Sequence, residues 1–158
     1  MFKKIKKILG WEDPLVKKIE KNWGKRTADF WKISNALFRV SALFTIMGIL
    51  CIFLGIAILA LSQSIQVQNI IFVIPVLMLF LGDIIYLLYL LSIIILAFLF
   101  EDYLHAVFLI IAYSDIVVEI LLLFGILNQT GSFVETYIIA LLVILLYKYW
   151  KGRELRKL

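Results

Sequence analysis

Asp83, Asp115 and Glu119 are the side chains whose chemistry most needs an account, because they are set in a nearly unbroken apolar run, Ile70 to Leu127, that contains no Lys or Arg. An ionisable group is costly in hydrocarbon, so one retained there marks an ion path, a proton relay or a buried pairing. Tyr86 and Tyr89 follow Asp83 at intervals of three and share its helical face, while Ala112, Asp115 and Glu119 share another. Folded as an antiparallel hairpin about Glu101-Asp102, the two segments set Asp83 level with Glu119, and Tyr89 level with Tyr113 and Ser114. Three carboxyls gathered in low dielectric cannot all stay ionised, since desolvation and mutual repulsion both favour the neutral form. Such a site binds or relays protons or cations. Two other readings stand beside it: neutral acids bonded to tyrosine hydroxyls as interhelical glue, and acids answered by a Lys or Arg of another subunit.

A second group, Glu101, Asp102 and His105, has the spacing of metal ligands on one helical face. The competing reading makes Asp102 the N-cap of the following helix, where the dipole favours an anion, and His105 an interfacial histidine. With a single histidine and a single cysteine, Cys51, the chain offers no histidine-rich or cysteine-rich metal site and no internal disulfide. No cofactor is expected. A glycine-rich phosphate loop, a His-Glu-x-x-His helix and a Gly-x-Ser-x-Gly elbow are all missing, which leans away from an enzyme.

The elements that must carry these residues follow from composition. The 158-residue chain is 64% hydrophobic, with mean hydropathy +1.05, against roughly 45–50% apolar residues in a soluble domain. A water-soluble fold is excluded. Basic residues lie only from Lys3 to Arg39 and from Lys148 to Lys157, whereas every charge between Val40 and Tyr147 is acidic. Cytoplasmic flanks collect Lys and Arg, so both termini are expected in the cytoplasm, with an even number of crossings between them. The net charge of +5 suits an anionic inner leaflet rather than nucleic acid.

The fold class that results is all-α: a polytopic integral membrane protein with four transmembrane helices and an N-terminal amphipathic interfacial helix. Residues 1–39 form a basic, amphipathic cytoplasmic segment and the start of the first span. In it, Phe2 to Leu9 and then Leu15 to Trp23 are expected to lie along the membrane surface, with Gly24 ending the second piece and Thr27 capping the next helix. Spans are expected at about 40–61, 70–100, 104–127 and 133–150, and residues 151–158 form a basic tail. Ser62 to Asn69 reads as a polar outer loop, and so does Asn128 to Ser132. Ser41, Thr45, Gly48, Cys51 and Gly55 recur at intervals of three and four, a seam of small side chains suited to close helix packing. The second span, at roughly 45 Å, overshoots a hydrocarbon core of about 30 Å. It must tilt, protrude or break, with Pro75 and Gly82-Asp83 as the candidate break points.

Four short spans bury little by themselves, so a homo-oligomer or a place in a larger membrane complex is expected. The leading functional expectation is a proton- or cation-handling channel or transporter using Asp83, Asp115 and Glu119, with Tyr86 and Tyr89 beside them. The alternative is a non-catalytic accessory or scaffold subunit.

Overall fold

The computed structural model describes residues 13–61, 65–123 and 134–158. They form four helices: α1 (Leu15–Leu61), α2 (Ile65–Leu99), α3 (Tyr103–Leu123) and α4 (Val134–Lys157), with no strand among the described residues. The physical reason is that backbone N–H and C=O groups in hydrocarbon must be satisfied within their own segment, which a helix does. Three stretches, Leu15–Ala60, Ile71–Leu99 and Tyr103–Leu122, are long and apolar enough to cross a membrane. The protein is therefore all-α and membrane-embedded. The helix expected as a fourth span is not one of these three.

Several boundaries differ from those the sequence suggests. Helix α2 begins at Ile65, inside the stretch that reads as a polar loop, where no Gly or Pro stands to stop a helix. It runs unbroken to Leu99 with Pro75 inside it, so neither Pro75 nor Gly82-Asp83 breaks the chain. Helix α4 continues through the expected tail to Lys157. The segment Phe2 to Leu9 and the loop Asn128 to Ser132 lie outside the described residues.

Helix α1 is interrupted at Gly24, whose φ of 87° and ψ of 167° are not helical. A Cβ there would meet nothing within 4 Å, so it is the backbone conformation, not space, that favours glycine. Thr27 does not cap the next helix as expected. Its hydroxyl donates to the Trp23 carbonyl at 3.0 Å, satisfying an acceptor that the interruption orphans. The start of the first arm is held by Asp13, whose carboxylate accepts from the Leu15 N–H at 2.9 Å.

Contacts divide the chain into two compact units. One is Ile33–Tyr89, where the second arm of α1 meets the first part of α2. Here the Ser41 hydroxyl donates to the Gly82 carbonyl at 2.9 Å, and Thr45 donates to the Ser41 carbonyl at 3.1 Å. A Cβ built on Gly48 would lie 2.8 Å from Leu79, and one on Gly55 would lie 2.6 Å from Ile71. Glycine is what lets the two backbones approach at these levels.

The other unit joins residues up to Lys32 with Leu90–Leu158. Its core holds Leu15, Val16 and Ile19 from the first arm of α1, Ala28 and Trp31 beyond the interruption, Leu96 and Phe100 at the end of α2, and Leu155 of α4. The apolar side of the arm, expected to face lipid, is thus covered by the chain's own residues. Helix α2 ends in a Schellman turn, with the Asp102 N–H bonding the Ala97 carbonyl at 3.0 Å and the Glu101 N–H bonding that of Phe98 at 3.0 Å. Glu101 takes the left-handed position usually given to glycine, with φ 61°.

If the glycine contacts hold α1 to α2, then Gly48→Leu overpacks that interface and lowers stability by about 1–3 kcal/mol. Thermal unfolding of the detergent-solubilised protein measures this, and an unchanged midpoint would show that the helices do not approach at that level.

Candidate functional site

The acids singled out by the sequence fall in different surroundings. Asp83 belongs to the first unit and is exposed. It directly follows Gly82, whose carbonyl accepts from the Ser41 hydroxyl, so it sits level with the start of the apolar stretch of α1. Tyr86 is half-buried and Tyr89 is buried. Their rings lie 5.7 Å apart, and Phe38 stacks on Tyr89 at 5.1 Å. The face that Asp83 opens is therefore largely aromatic packing.

Asp115 and Glu119 belong to the second unit, and they part company on α3. Ala106, Leu109, Ala112, Ile116 and Glu119 form the packed face, with Glu119 only 8% exposed. Asp115 points outward and is exposed. A four-residue step on a 3.6-residue turn leaves about 40° between side chains, enough at the edge of a packed face to separate an inward acid from an outward one. Among the described residues, Asp83, Asp115 and Glu119 make no hydrogen bond or ion pair, and no three His, Cys, Asp or Glu side chains gather as metal ligands.

The charged site that does form lies at the α2–α3 turn. Lys151, 4% exposed, places its ammonium 2.8 Å from Asp102 Oδ2 and 3.2 Å from Glu154 Oε2. The Tyr147 hydroxyl donates to the same Asp102 oxygen at 2.9 Å. Aromatic rings complete the enclosure, with the Lys151 ammonium 5.1 Å from the Phe100 centroid, 5.6 Å from Trp23 and 5.8 Å from Trp150. Such rings offer their negative faces to a cation that has lost much of its water. Beside it, Lys148 stands 5.4 Å over Trp31, whose indole N–H donates to Asp13 at 3.0 Å. Lys18 donates to the Arg156 carbonyl at 3.0 Å.

This arrangement accounts for the residues read as metal ligands. The Asp102 carboxylate is occupied by a lysine of its own chain, while its backbone carbonyl accepts the first bond of α3 from Ala106 at 2.9 Å. The His105 ring lies against Tyr147 at 5.6 Å and Trp150 at 5.4 Å, and Glu101 is exposed. Glu135 is exposed in the first turn of α4. Both Asp102 and Lys151 are paired within the cluster. What it does is clamp three segments together.

The chain matches no family model, no curated protein and no solved structure.

The Lys151–Asp102 pair is absent from the expectations that local spacing supports. The signal was present: Glu101-Asp102 is the acidic turn expected on the side where the basic end of the last helix emerges. Opposite charges at one level of a bundle are candidates for pairing, and only the generic role of Lys151 as an interfacial anchor obscured it.

Replacing Lys151 with Met leaves Asp102 without its cation and costs about 2–4 kcal/mol. Adding Asp102→Asn to that variant recovers part of the loss. A double-mutant cycle on thermal or denaturant unfolding reads the coupling, and additive effects would show that the pair does not clamp the structure.

Proposed function

We propose that the protein is a small multi-pass membrane subunit that works by associating with another membrane protein, with four crossings and both termini on the cytoplasmic side. The topology is supported by the second unit, where Lys18 near the start of α1 bonds Arg156 near the end of α4. Groups 3.0 Å apart leave no room for a bilayer between them, which supports an even number of crossings from one to the other. Basic residues gathered at both ends favour the cytoplasmic side.

The observation that carries the functional reading is Asp115. It stands twelve residues into α3, about 18 Å along the helix from Tyr103, exposed on an apolar surface and without a hydrogen bond or ion pair among the described residues. An acid at such a depth costs on the order of 2.5–3.5 kcal/mol unless it is answered. No Lys or Arg lies between Val40 and Tyr147, so a second copy of this chain has no cation to offer at that level. A different polypeptide with a basic residue in its own span does.

A second reading rests on Glu119. This acid is buried on the packed face of α3 without a partner among the described residues, as a group that takes up and releases a proton or cation would be. On that reading copies of the chain assemble into a conduit, and Glu119 rather than Asp83 is the relay.

Native mass of the protein extracted from its own membrane in mild detergent separates the two. The subunit reading expects foreign chains in fixed ratio, lost in Asp115→Asn while the thermal midpoint is kept; a bare monomer, or a complex indifferent to Asp115→Asn, would sink it. The conduit reading expects a closed homo-oligomer whose cation or proton flux in liposomes is abolished by Glu119→Gln, and unchanged flux removes that residue from any transport step.

A further inference from the structure

The exposed side of α3 divides into two stripes. Leu104, Phe108, Ile111, Asp115 and Val118 recur at alternating steps of four and three residues and are all exposed, the apolar ones by 44–69%. At 3.6 residues per turn these side chains fall within roughly 80° of one another, about a third of a turn from the packed face of Leu109, Ala112 and Ile116. Val107, Ile110 and Ser114 form the second stripe, also exposed. There the Ser114 hydroxyl donates to the Ile110 carbonyl of its own helix at 2.9 Å, whereas Asp115 in the first stripe makes no hydrogen bond or ion pair among the described residues.

We propose that the first stripe is the docking seam for one transmembrane helix of a different protein, which carries a Lys or Arg at mid-span and crosses α3 left-handed at about 20°. The inference rests on the association through Asp115 proposed above, and it names the surface used and the form of the partner. The spacing supplies the geometry. Steps of four and three make a heptad repeat, which stays in register with a second helix when the two wind around each other left-handed. The apolar members are large, so they interlock as knobs in holes, unlike the glycine contacts between α1 and α2. The seam runs from Leu104 to Val118, about 21 Å along the helix. Over that length in hydrocarbon a partner's backbone must satisfy its own N–H and C=O groups, which makes it a helix.

Charge chooses the partner. Asp115 stands about 18 Å along α3 from Tyr103 and about 12 Å from Leu123 at the other end, so a cation that answers it must also lie near the middle of its span. An isolated Lys or Arg is costly at that depth too, and pairing lowers the cost of both. A second copy of this chain brings no cation to this level, because none lies between Val40 and Tyr147. Lipid tails bring none either.

The test reconstitutes the full chain in dioleoyl phosphatidylcholine bilayers with a synthetic spanning helix of leucine and alanine. The helix has one lysine at mid-span and one cysteine four residues away on the same face. In the chain, Cys51→Ser removes its single cysteine. Ile111→Cys or Val118→Cys then marks the seam, and Ile110→Cys or Ser114→Cys marks the other stripe, all at exposed positions where folding is not at stake. Ile111 and Val118 lie about one turn to either side of Asp115, so a helix in either orientation meets one of them. Disulfide yield from the better seam position should exceed that from the other stripe by about tenfold, the scale of one interhelical polar contact in a bilayer. The excess should vanish when glutamine replaces the lysine, and when Asp115→Asn is added to the seam variant. Equal yields from both stripes, equal yields with the lysine and glutamine helices, or chains that crosslink to one another through the seam in preference to the helix would overturn the seam. Whether foreign chains accompany the native protein through Asp115 is read separately by native mass, so a native complex that needs Asp115 together with equal yields from both stripes would sink the seam alone.

Discussion

The second unit depends on one ion pair. Asp102 lies in the turn that ends α2 and starts α3, Lys151 lies on α4, and the rings around them come from α1, α2 and α4. A buried lysine is tolerable only if its charge is answered, and here a carboxylate, a second carboxylate and three aromatic faces answer it. The pair's worth lies in specification as much as in energy. Lys151 can be buried in one arrangement of the chain, the one in which the arm carrying Trp23, the α2–α3 turn and the end of α4 meet.

The two units hold their helices together by different means, and each is suited to its sequence. In hydrocarbon there is no hydrophobic gain in placing one apolar helix against another, so close contact and hydrogen bonds must do it. The first unit has small residues and uses them: Gly48, Gly55 and Gly82 let backbones approach, and Ser41 reaches a carbonyl across the gap. The second unit has aromatic and charged residues in the arm before Ile33 and at the end of α4, and it uses those. Its core of Ile19, Trp31, Phe100 and Leu155 resembles a soluble one in composition.

The acids change meaning once they are placed. Read along the chain, Asp83, Asp115 and Glu119 form one set in an apolar run. In the structure their environments differ: Asp83 is exposed beside the Ser41–Gly82 contact of α1 and α2, Asp115 is exposed on α3, and Glu119 is packed.

The sequence by itself determined the helical class, the membrane environment and the small-residue face of α1, because these follow from local properties: hydropathy over about twenty residues, the need to satisfy each backbone group, and small side chains at a repeat of three and four. The interruption at Gly24 was legible for the same reason, since a left-handed φ asks for glycine wherever it falls. Tertiary structure decided what periodicity and local charge cannot. It covered Leu15, Val16 and Ile19 with the chain's own residues, paired Asp102, whose carbonyl accepts the first bond of α3, with Lys151, and left Asp115 exposed beside a packed Glu119 on one helix. Each depends on which segment arrives opposite, and that is set by contacts between residues as far apart in the chain as Lys18 and Arg156.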